Sequence, residues 1–182
     1  MREEEGDDDA TRLRAVRARD PDVWVDLYNE LYPRLRSFFI RRIGPDAAED
    51  AVAETLTRAL SGIDRYSPGP AGLPGWIFGI ARHVAADHHR RTTKLRALPQ
   101  PGPATAMDLP AEQAVLHDEH ATLRAAFEKL NAKDREILEL RVIAGLSAEE
   151  TAAVLGKRAG AVRMAQSRAL AELRRIMEYA DA

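Results

Sequence analysis

Residues 146–177 decide the fold class, and they read LSAEETAAVLGKRAGAVRMAQSRALAELRRIM. Ser147 and Glu150, three residues apart, form the sequence pattern of a capping box. In this motif the side chain of each residue accepts a hydrogen bond from the backbone N–H of the other at the start of a helix. Gly156 predicts a tight turn, because glycine readily adopts the left-handed backbone that ends a helix. Apolar residues then recur at helical spacing. The stretch therefore predicts a helix over 147–155, a turn, and a second helix after it.

The second helix of this pair has one apolar face and one cationic face. Its apolar stripe is predicted to pack against the preceding turn and helix; the stripe is Val162, Ala165, Ala169, Leu173 and Ile176, and its predicted partners are Leu146, Ala152, Val154 and Leu155. The opposite face carries Arg163, Met164, Ser167, Arg168, Ala171, Arg174 and Arg175. A cationic helix face after a tight turn is the usual form of a major-groove reader. A plain helical hairpin with a basic rim is the structural alternative.

Helical periodicity extends through the rest of the chain, and no stretch alternates apolar and polar residues with a period of two. Residues 67–75 hold three prolines and three glycines and are predicted to form a loop. The predicted fold class is all-α. Its further helices run from Pro21 to the Gly44-Pro45 pair, over 46–60, 76–94, 111–129 and 133–144, and from Ala159 to Met177.

Two segments are predicted to lack regular structure. Residues 1–10 are strongly acidic and offer little apolar surface to bury, which predicts a disordered tail. Four prolines interrupt residues 97–110, which predicts a flexible linker. The chain is thus expected to contain two small helical domains, at 11–96 and 111–182, with the helix-turn-helix in the second.

Composition excludes several classes of protein. The chain has 182 residues, of which 45% are hydrophobic and 31% charged, as expected of a globular protein. It contains no cysteine, which excludes disulfides and thiolate chemistry. The longest apolar run, residues 76–81, is far too short to insert into a membrane. The acidic N-terminus is the reverse of a secretory signal, so a cytoplasmic location is expected.

The helix predicted over 76–94 carries two contrasting faces. Its apolar stripe consists of Ile77, Ile80, Ala81, Val84 and Ala85, and its other side presents Trp76, His83, Asp87 and Arg90, with Arg82 beside them. An aromatic ring can stack on an unpaired base while neighbouring cations meet phosphates. This face therefore suits single-stranded nucleic acid. The alternative is that Trp76 anchors the core and the rest is solvated.

The helix predicted over 46–60 places Asp50, Glu54 and Arg58 on one face at steps of four residues. A charged stripe of this kind can bind a partner protein. It can also form only a local ion pair between Glu54 and Arg58, worth a few tenths of a kcal/mol.

Enzyme classes find little support in the sequence. Asp87-His88-His89 spells the signature of a family of metal-dependent phosphoesterases, but three consecutive helical residues point about 100° apart and cannot close on one ion. The chain has no phosphate-binding glycine loop with lysine and no nucleophile elbow. We therefore expect no enzymatic activity, metal or cofactor. A free-standing helix-turn-helix regulator remains an alternative of another class.

Three segments, taken in order, resemble a bacterial RNA polymerase sigma factor of the extracytoplasmic-function (ECF) type, which contains only regions two and four. Residues 46–60 (DAAEDAVAETLTRAL) resemble the family's helix that binds core polymerase. Residues 75–91 (GWIFGIARHVAADHHRR) resemble its promoter-melting segment. Residues 130–141 (LNAKDREILELR) and the stretch from Leu146 onward resemble its region four.

The resemblance implies promoter-directed transcription initiation, with region two in 11–96 and region four in 111–182. The implied partners are core RNA polymerase, through its clamp helices and flap, promoter DNA, and an anti-sigma factor. The implied location is the cytoplasm, with nucleoid association in the holoenzyme. The implied contacts are polymerase at Asp50, Glu54 and Arg58; the minus-ten element at Trp76, Arg82, His83, Asp87, Arg90 and Arg91; and the minus-thirty-five element at Arg158, Arg163, Ser167 and Arg168.

Overall fold

The computed structural model describes residues 11–96 and 114–180, and all regular structure in those ranges is helical. This confirms the predicted all-α class. The tail predicted over 1–10 and the linker predicted over 97–110 lie outside the described residues. The helices are α1 (11–17), α2 (Pro21–Ile43), α3 (Pro45–Gly62), α4 (Gly72–Arg96), α5 (Ala114–Lys129), α6 (Ala132–Leu138), α7 (Ala148–Leu155) and α8 (Ala159–Ala180), with a 3₁₀ turn (Ile63–Arg65) and a π-helix (Glu139–Ile143).

The N-terminal helices, α1–α4, pack around an apolar core. In α2, the apolar residues Leu27, Leu31, Leu35 and Phe39 recur at every fourth position and are fully buried. The α4 stripe meets them, and the rings of Phe38 and Phe78 pack edge to face with centroids 5.7 Å apart.

The helix α4 begins four residues earlier than predicted, at Gly72 rather than Trp76. Pro74 is tolerated because it lies in the first helical turn, where its missing N–H has no intrahelical partner to lose. Gly72 has a φ of +59°, which favours glycine and marks the bend from loop to helix. Only residues 66–71 are left as a loop between the 3₁₀ turn and α4.

The C-terminal helices, α5–α8, contain the predicted helix-turn-helix. Ser147 accepts a hydrogen bond from the Glu150 N–H, and the Glu150 carboxylate accepts one from the Ser147 N–H, so the capping box is present. Gly156 adopts the left-handed conformation with a φ of +63°. Val162 and Ala169 of the α8 stripe are fully buried, as predicted.

A π-helix interrupts the single helix predicted over 133–144. α6 ends at Leu138, and the chain then widens so that the Ala144 N–H donates to the Glu139 carbonyl, five residues earlier, at 2.8 Å. The wider turn lets Leu138 join the core of the C-terminal helices, while Leu140 and Ala144 join the core of the N-terminal helices. This one segment thus serves two cores.

The apolar partners predicted for α8 prove to be divided between two surfaces. Ala152 packs near Val162, as expected. Leu146, Val154 and Leu155 instead pack on the core of the N-terminal helices, and Leu146 is fully buried there. The prediction that Leu146, Val154 and Leu155 are apolar packing residues is correct. The prediction that they pack on the α8 stripe is wrong, because they pack on the N-terminal helices. The two groups of helices are therefore in direct contact.

The capping box permits a first prediction. Replacing Ser147 with alanine removes the side-chain acceptor for the Glu150 N–H, which is expected to lower the free energy of unfolding by about 1 kcal/mol. Urea denaturation followed by circular dichroism measures the change. Ser61→Ala, an exposed position in α3, is the matched control and is expected to stay within about 0.5 kcal/mol of the unchanged protein. A loss no larger than that of Ser61→Ala would contradict a stabilising role for this cap.

Candidate functional site

The α3 face presents the three predicted residues at the surface. Asp50 is exposed, and the Arg58 guanidinium lies 2.5 Å from the Glu54 carboxylate. Arg58 also lies 3.5 Å from the Asp87 carboxylate of α4. The face predicted to bind polymerase is therefore adjacent to the face predicted to bind DNA, and the Arg58–Asp87 contact joins the two.

The α4 face is only partly open to solvent. His83, Arg90 and Arg91 are exposed, and Asp87 accepts a hydrogen bond from Arg90. Trp76 is half-buried, with its ring centroid 5.1 Å from that of Tyr66. Trp76 packs on a core residue, as the structural alternative expects, and it also lines a surface cavity, so base stacking stays a prediction for this ring.

That cavity has a volume of about 360 Å³ and lies where the 66–71 loop meets α4. Trp76, Gly79 and His83 form its α4 side. Ala153 and Val154 of α7 form the opposite side, so the C-terminal helices cover part of the face predicted to bind DNA.

Arg82 was predicted to lie beside the open polar face of α4. The structure corrects this prediction, because the side chain contacts the C-terminal helices instead. Its Nε and Nη2 atoms donate to Glu136 Oε1 at 3.0 and 2.8 Å. Its Nη1 atom donates to the Val154 carbonyl at 3.3 Å. The guanidinium is therefore held by α6 and α7.

A second arginine of the N-terminal helices is held in the same way. Arg42 Nε donates to Glu139 Oε2 at 2.5 Å, and Arg42 Nη2 lies 3.4 Å from Glu136 Oε1. The Glu139 side chain is only 3% exposed, and this burial raises the pKa of its carboxyl above the ordinary value while Arg42 acts to lower it. Arg42, Arg82, Glu136 and Glu139 form one cluster, which we call the interdomain ion-pair cluster.

Sequence reasoning missed this cluster. Glu136 and Glu139 were noted only as part of the segment that resembles region four, and no role was predicted for Arg42. A signal was available, since Glu139 sits between Leu138 and Leu140 in an apolar run, where an ionisable residue is unusual unless it is paired.

The α8 face presents the predicted polar set at the surface. Arg158, Arg163, Ser167 and Arg168 are all exposed. Arg163 lies 2.9 Å from Glu149 of α7, and both side chains are 57% exposed, so solvent weakens the pair. Behind this face, Arg141 donates to Gln166 at 2.8 Å and ties the π-helix to α8.

Two further observations bear on the alternatives. Within residues 11–96 and 114–180, no group of three or more His, Asp or Glu side chains comes together to hold a metal ion. Across the same ranges, no helix has the length and apolar character needed to cross a membrane.

Comparison with known proteins identifies the family. The family model described as Sigma-70 region 2 matches residues 27–95, and that described as Sigma-70, region 4 matches residues 120–173. The chain is 39% identical over 146 residues to the ECF RNA polymerase sigma factor SigD of Mycobacterium tuberculosis, covering 79% of this chain and 68% of SigD. The chain belongs to the ECF sigma factors. The predicted resemblance is thereby confirmed.

One further sequence relative and one solved structure match most of the chain and agree with this family. The sigma factor is 31% identical over 188 residues to the ECF RNA polymerase sigma factor ShbA of Streptomyces griseus, which covers 94% of this chain and 98% of ShbA. The solved structure of the sigma factor RpoE with the anti-sigma factor NepR, from Bartonella quintana, matches with a TM-score of 0.61 and 25% identity. That match covers 85% of this chain and 96% of RpoE. The protein is thus a transcription initiation factor that directs core RNA polymerase to specific promoters.

Proposed function

We propose that three surfaces, on α3, α4 and α8, divide the work of this sigma factor. The α3 face binds the clamp helices of core RNA polymerase through Asp50, Glu54 and Arg58. The α4 face holds the melted strand of the minus-ten element. The α8 face contacts the minus-thirty-five element through Arg158, Arg163, Ser167 and Arg168. The family assignment supplies the general function, and these residue roles are our extension of it.

The cavity beside Trp76 is the single observation that carries the proposal. It is large enough for a planar base, which would lie between the 66–71 loop and the Trp76 ring. Arg90 and Arg91 are exposed on the same helix and would meet the phosphates on either side. His83 borders the cavity and would contribute a hydrogen bond to a base edge. Arg82 and Asp87 complete the minus-ten set, with Asp87 positioning Arg90.

The same proposal includes a domain division, further partners and a location. Region two occupies 11–96 and region four occupies 111–182, with 97–110 linking them and 1–10 as an acidic tail. The flap of core polymerase binds region four, and an anti-sigma factor restrains the protein, as NepR is bound to RpoE in the related structure. The protein acts in the cytoplasm, on the nucleoid when in the holoenzyme, and has no enzymatic activity of its own.

Reconstitution tests this function. The purified sigma factor is mixed with core polymerase, and run-off transcripts from a genomic library are sequenced to find its promoters. We expect discrete start sites that depend on the sigma factor. Start sites identical to those of core polymerase alone would contradict the proposal. Binding to DNA without any effect on polymerase would instead favour a free-standing regulator.

The α3 face leads to a second prediction. Asp50→Ala/Glu54→Ala removes two surface carboxylates that would face a basic clamp surface, so affinity for core polymerase is expected to fall about fivefold to tenfold. The thermal midpoint of unfolding is expected to change little, because Asp50 is exposed and Glu54 is only partly buried. A fluorescence titration with core polymerase measures the affinity. Glu172→Ala/Glu178→Ala, which removes two carboxylates from α8, is the charge-matched control, and equal affinity of the two variants would remove the α3 face from the proposal.

A further inference from the structure

A second cavity adjoins the 66–71 loop, next to the cavity beside Trp76. Its volume is about 820 Å³, against about 360 Å³ for the first, and Tyr66 and Gly69 line both. Cavities of about 300–1,000 Å³ typically hold a drug-sized ligand, and one nucleotide is of that size. The loop therefore separates two cavities, each of which is large enough for a nucleotide.

The second cavity has one cationic wall and one apolar wall. Arg12, Arg14 and Arg17 of α1 form the cationic wall, and all three are exposed. Pro68 and Leu73 form part of the apolar wall. An apolar surface accepts a base, and guanidinium groups bind phosphate. This cavity, which we call the arginine cavity, thus matches the two chemical halves of an unpaired nucleotide.

Two of the three arginines have no carboxylate partner among the described residues. Arg12 lies 2.7 Å from a carboxylate oxygen of Glu30. Arg14 donates to a hydroxyl group within α1, at 3.0 Å, and Arg17 donates to the Tyr66 carbonyl at 2.6 Å. Both of these partners are neutral, so the positive charges of Arg14 and Arg17 remain available to an anion from outside the protein.

One carboxylate also lines the arginine cavity, and it does not cancel the positive charge. It belongs to Glu150, whose side chain accepts a hydrogen bond from the Ser147 N–H in the capping box. Three guanidinium groups face this single carboxylate around the cavity. The balance is positive, which attracts a polyanion.

A line of contacts connects the Trp76 ring to the arginine cavity. The ring centroids of Trp76 and Tyr66 are 5.1 Å apart, and the Tyr66 carbonyl accepts the hydrogen bond from Arg17. The cationic wall is thereby held at a fixed position beside the proposed base-binding cavity. Residues 67–70 of the loop between the two cavities are exposed. A strand that leaves the Trp76 cavity across this loop would therefore meet α1.

We propose that the arginine cavity is a second strand-binding site, in which the melted promoter strand places a further nucleotide against the apolar wall and a phosphate against Arg14 and Arg17. The proposal rests on the proposed function of the α4 face and extends the strand contact to α1. The Sigma-70 region 2 model matches residues 27–95, so α1 lies outside it and the family assignment gives this helix no role.

The acidic segment 1–10 is the other candidate occupant of the arginine cavity. It directly precedes α1 and carries six carboxylate side chains. The DNA strand is favoured because an acidic peptide would neutralise the cationic wall but would leave the apolar wall beside it unfilled.

Binding of two fluorescent single strands to the holoenzyme tests the proposal. Both are copied from a promoter that the holoenzyme transcribes. The short strand spans the minus-ten element, about six nucleotides, and the long strand continues for about five nucleotides on each side. Arg14→Ala is the test variant, because the hydrogen bond of Arg14 lies within α1. Arg174→Ala removes an exposed arginine near the end of α8 and is the charge-matched control.

We expect Arg14→Ala to bind the long strand about fivefold more weakly than Arg174→Ala does at low salt, with a salt slope smaller by about 0.7, as for one phosphate contact. The two variants are expected to bind the short strand equally, because that strand ends before the arginine cavity. Equal affinity for the long strand would overturn the proposal in favour of the acidic segment. Equal weakening on both strands would also overturn it, because Arg14 would then act without a local contact.

Abasic spacers test whether a nucleotide enters the arginine cavity. They replace the added nucleotides of the long strand one at a time, and we expect a loss of affinity at one position on one side. Tolerance at every added position would overturn the proposal, because a phosphate contact alone does not need a cavity. Failure of the proposed function would look different, since Trp76→Ala would then leave the affinity for the short strand unchanged, whatever Arg14→Ala does to the long strand.

Discussion

Replacing Trp76 with alanine is expected to reduce transcription from duplex promoters by roughly 5- to 150-fold, which corresponds to the 1–3 kcal/mol of one base–aromatic stack. The loss on a template with a pre-melted bubble is expected to be clearly smaller. On a duplex promoter, the contact of Trp76 with the strand helps to offset the free energy that is needed to unstack the base pairs. On the bubble template the base pairs are already open, so loss of this contact has a smaller effect. Run-off transcription by the holoenzyme on the two templates measures the difference.

The packing of Trp76 requires a folding control for this experiment. Its ring lies against Tyr66 and also near Gly62, at 3.5 Å from a Cβ atom built there, so the alanine variant loses stability as well as stacking. Trp76→Phe keeps an aromatic ring and is expected to retain most of the activity. Equal losses on both templates, together with a lower melting temperature, would show that Trp76 only secures α4 to its neighbours.

Two arginines of α8, Arg163 and Arg168, are expected to behave differently when each is replaced with alanine. Arg163 lies near the helix start, where recognition helices read bases, so its loss should cost about 1–3 kcal/mol and relax preference at one base pair. Arg168 lies about 140° away around the helix and is expected to contact phosphate. Its loss should weaken binding to every sequence alike and reduce the salt slope by about 0.9.

The measurement is holoenzyme binding to promoter variants over a series of salt concentrations, with circular dichroism to confirm helicity. Glu149→Gln is the companion variant, because it releases Arg163 from its carboxylate partner without removing the arginine. It is expected to leave base preference intact. If neither arginine affects affinity, salt slope or preference, α8 does not enter the groove in the proposed orientation.

The sequence predicted the helices well because their signals are local. The capping box at Ser147, the left-handed turn at Gly156 and the four-residue spacing in α2 each depend on residues within one or two turns. The start of α4 shifted to Gly72 because a proline in the first turn is compatible with a helix as well as with a loop.

The contacts between the two groups of helices could not be predicted in the same way. Periodicity shows that Leu146 and Val154 lie on apolar faces, but it does not say which apolar face of the chain will meet them. The same limit applies to Arg82, which was predicted to be free for DNA and is bound to Glu136. Its partner is 54 residues away in sequence, beyond the reach of any helical pattern.

The π-helix over Glu139–Ile143 makes the length of this segment as important as its composition. A π-turn acts as one extra residue inside an α-helix. Winding the same number of residues as a regular α-helix would rotate the part after the π-turn by about 100° relative to the part before it. Either Leu138 would then leave one core, or Ala144 would leave the other. Engineered chimaeras that exchange region four should therefore keep the π-turn, because a regular helix of the same length is expected to lose one of the two contacts.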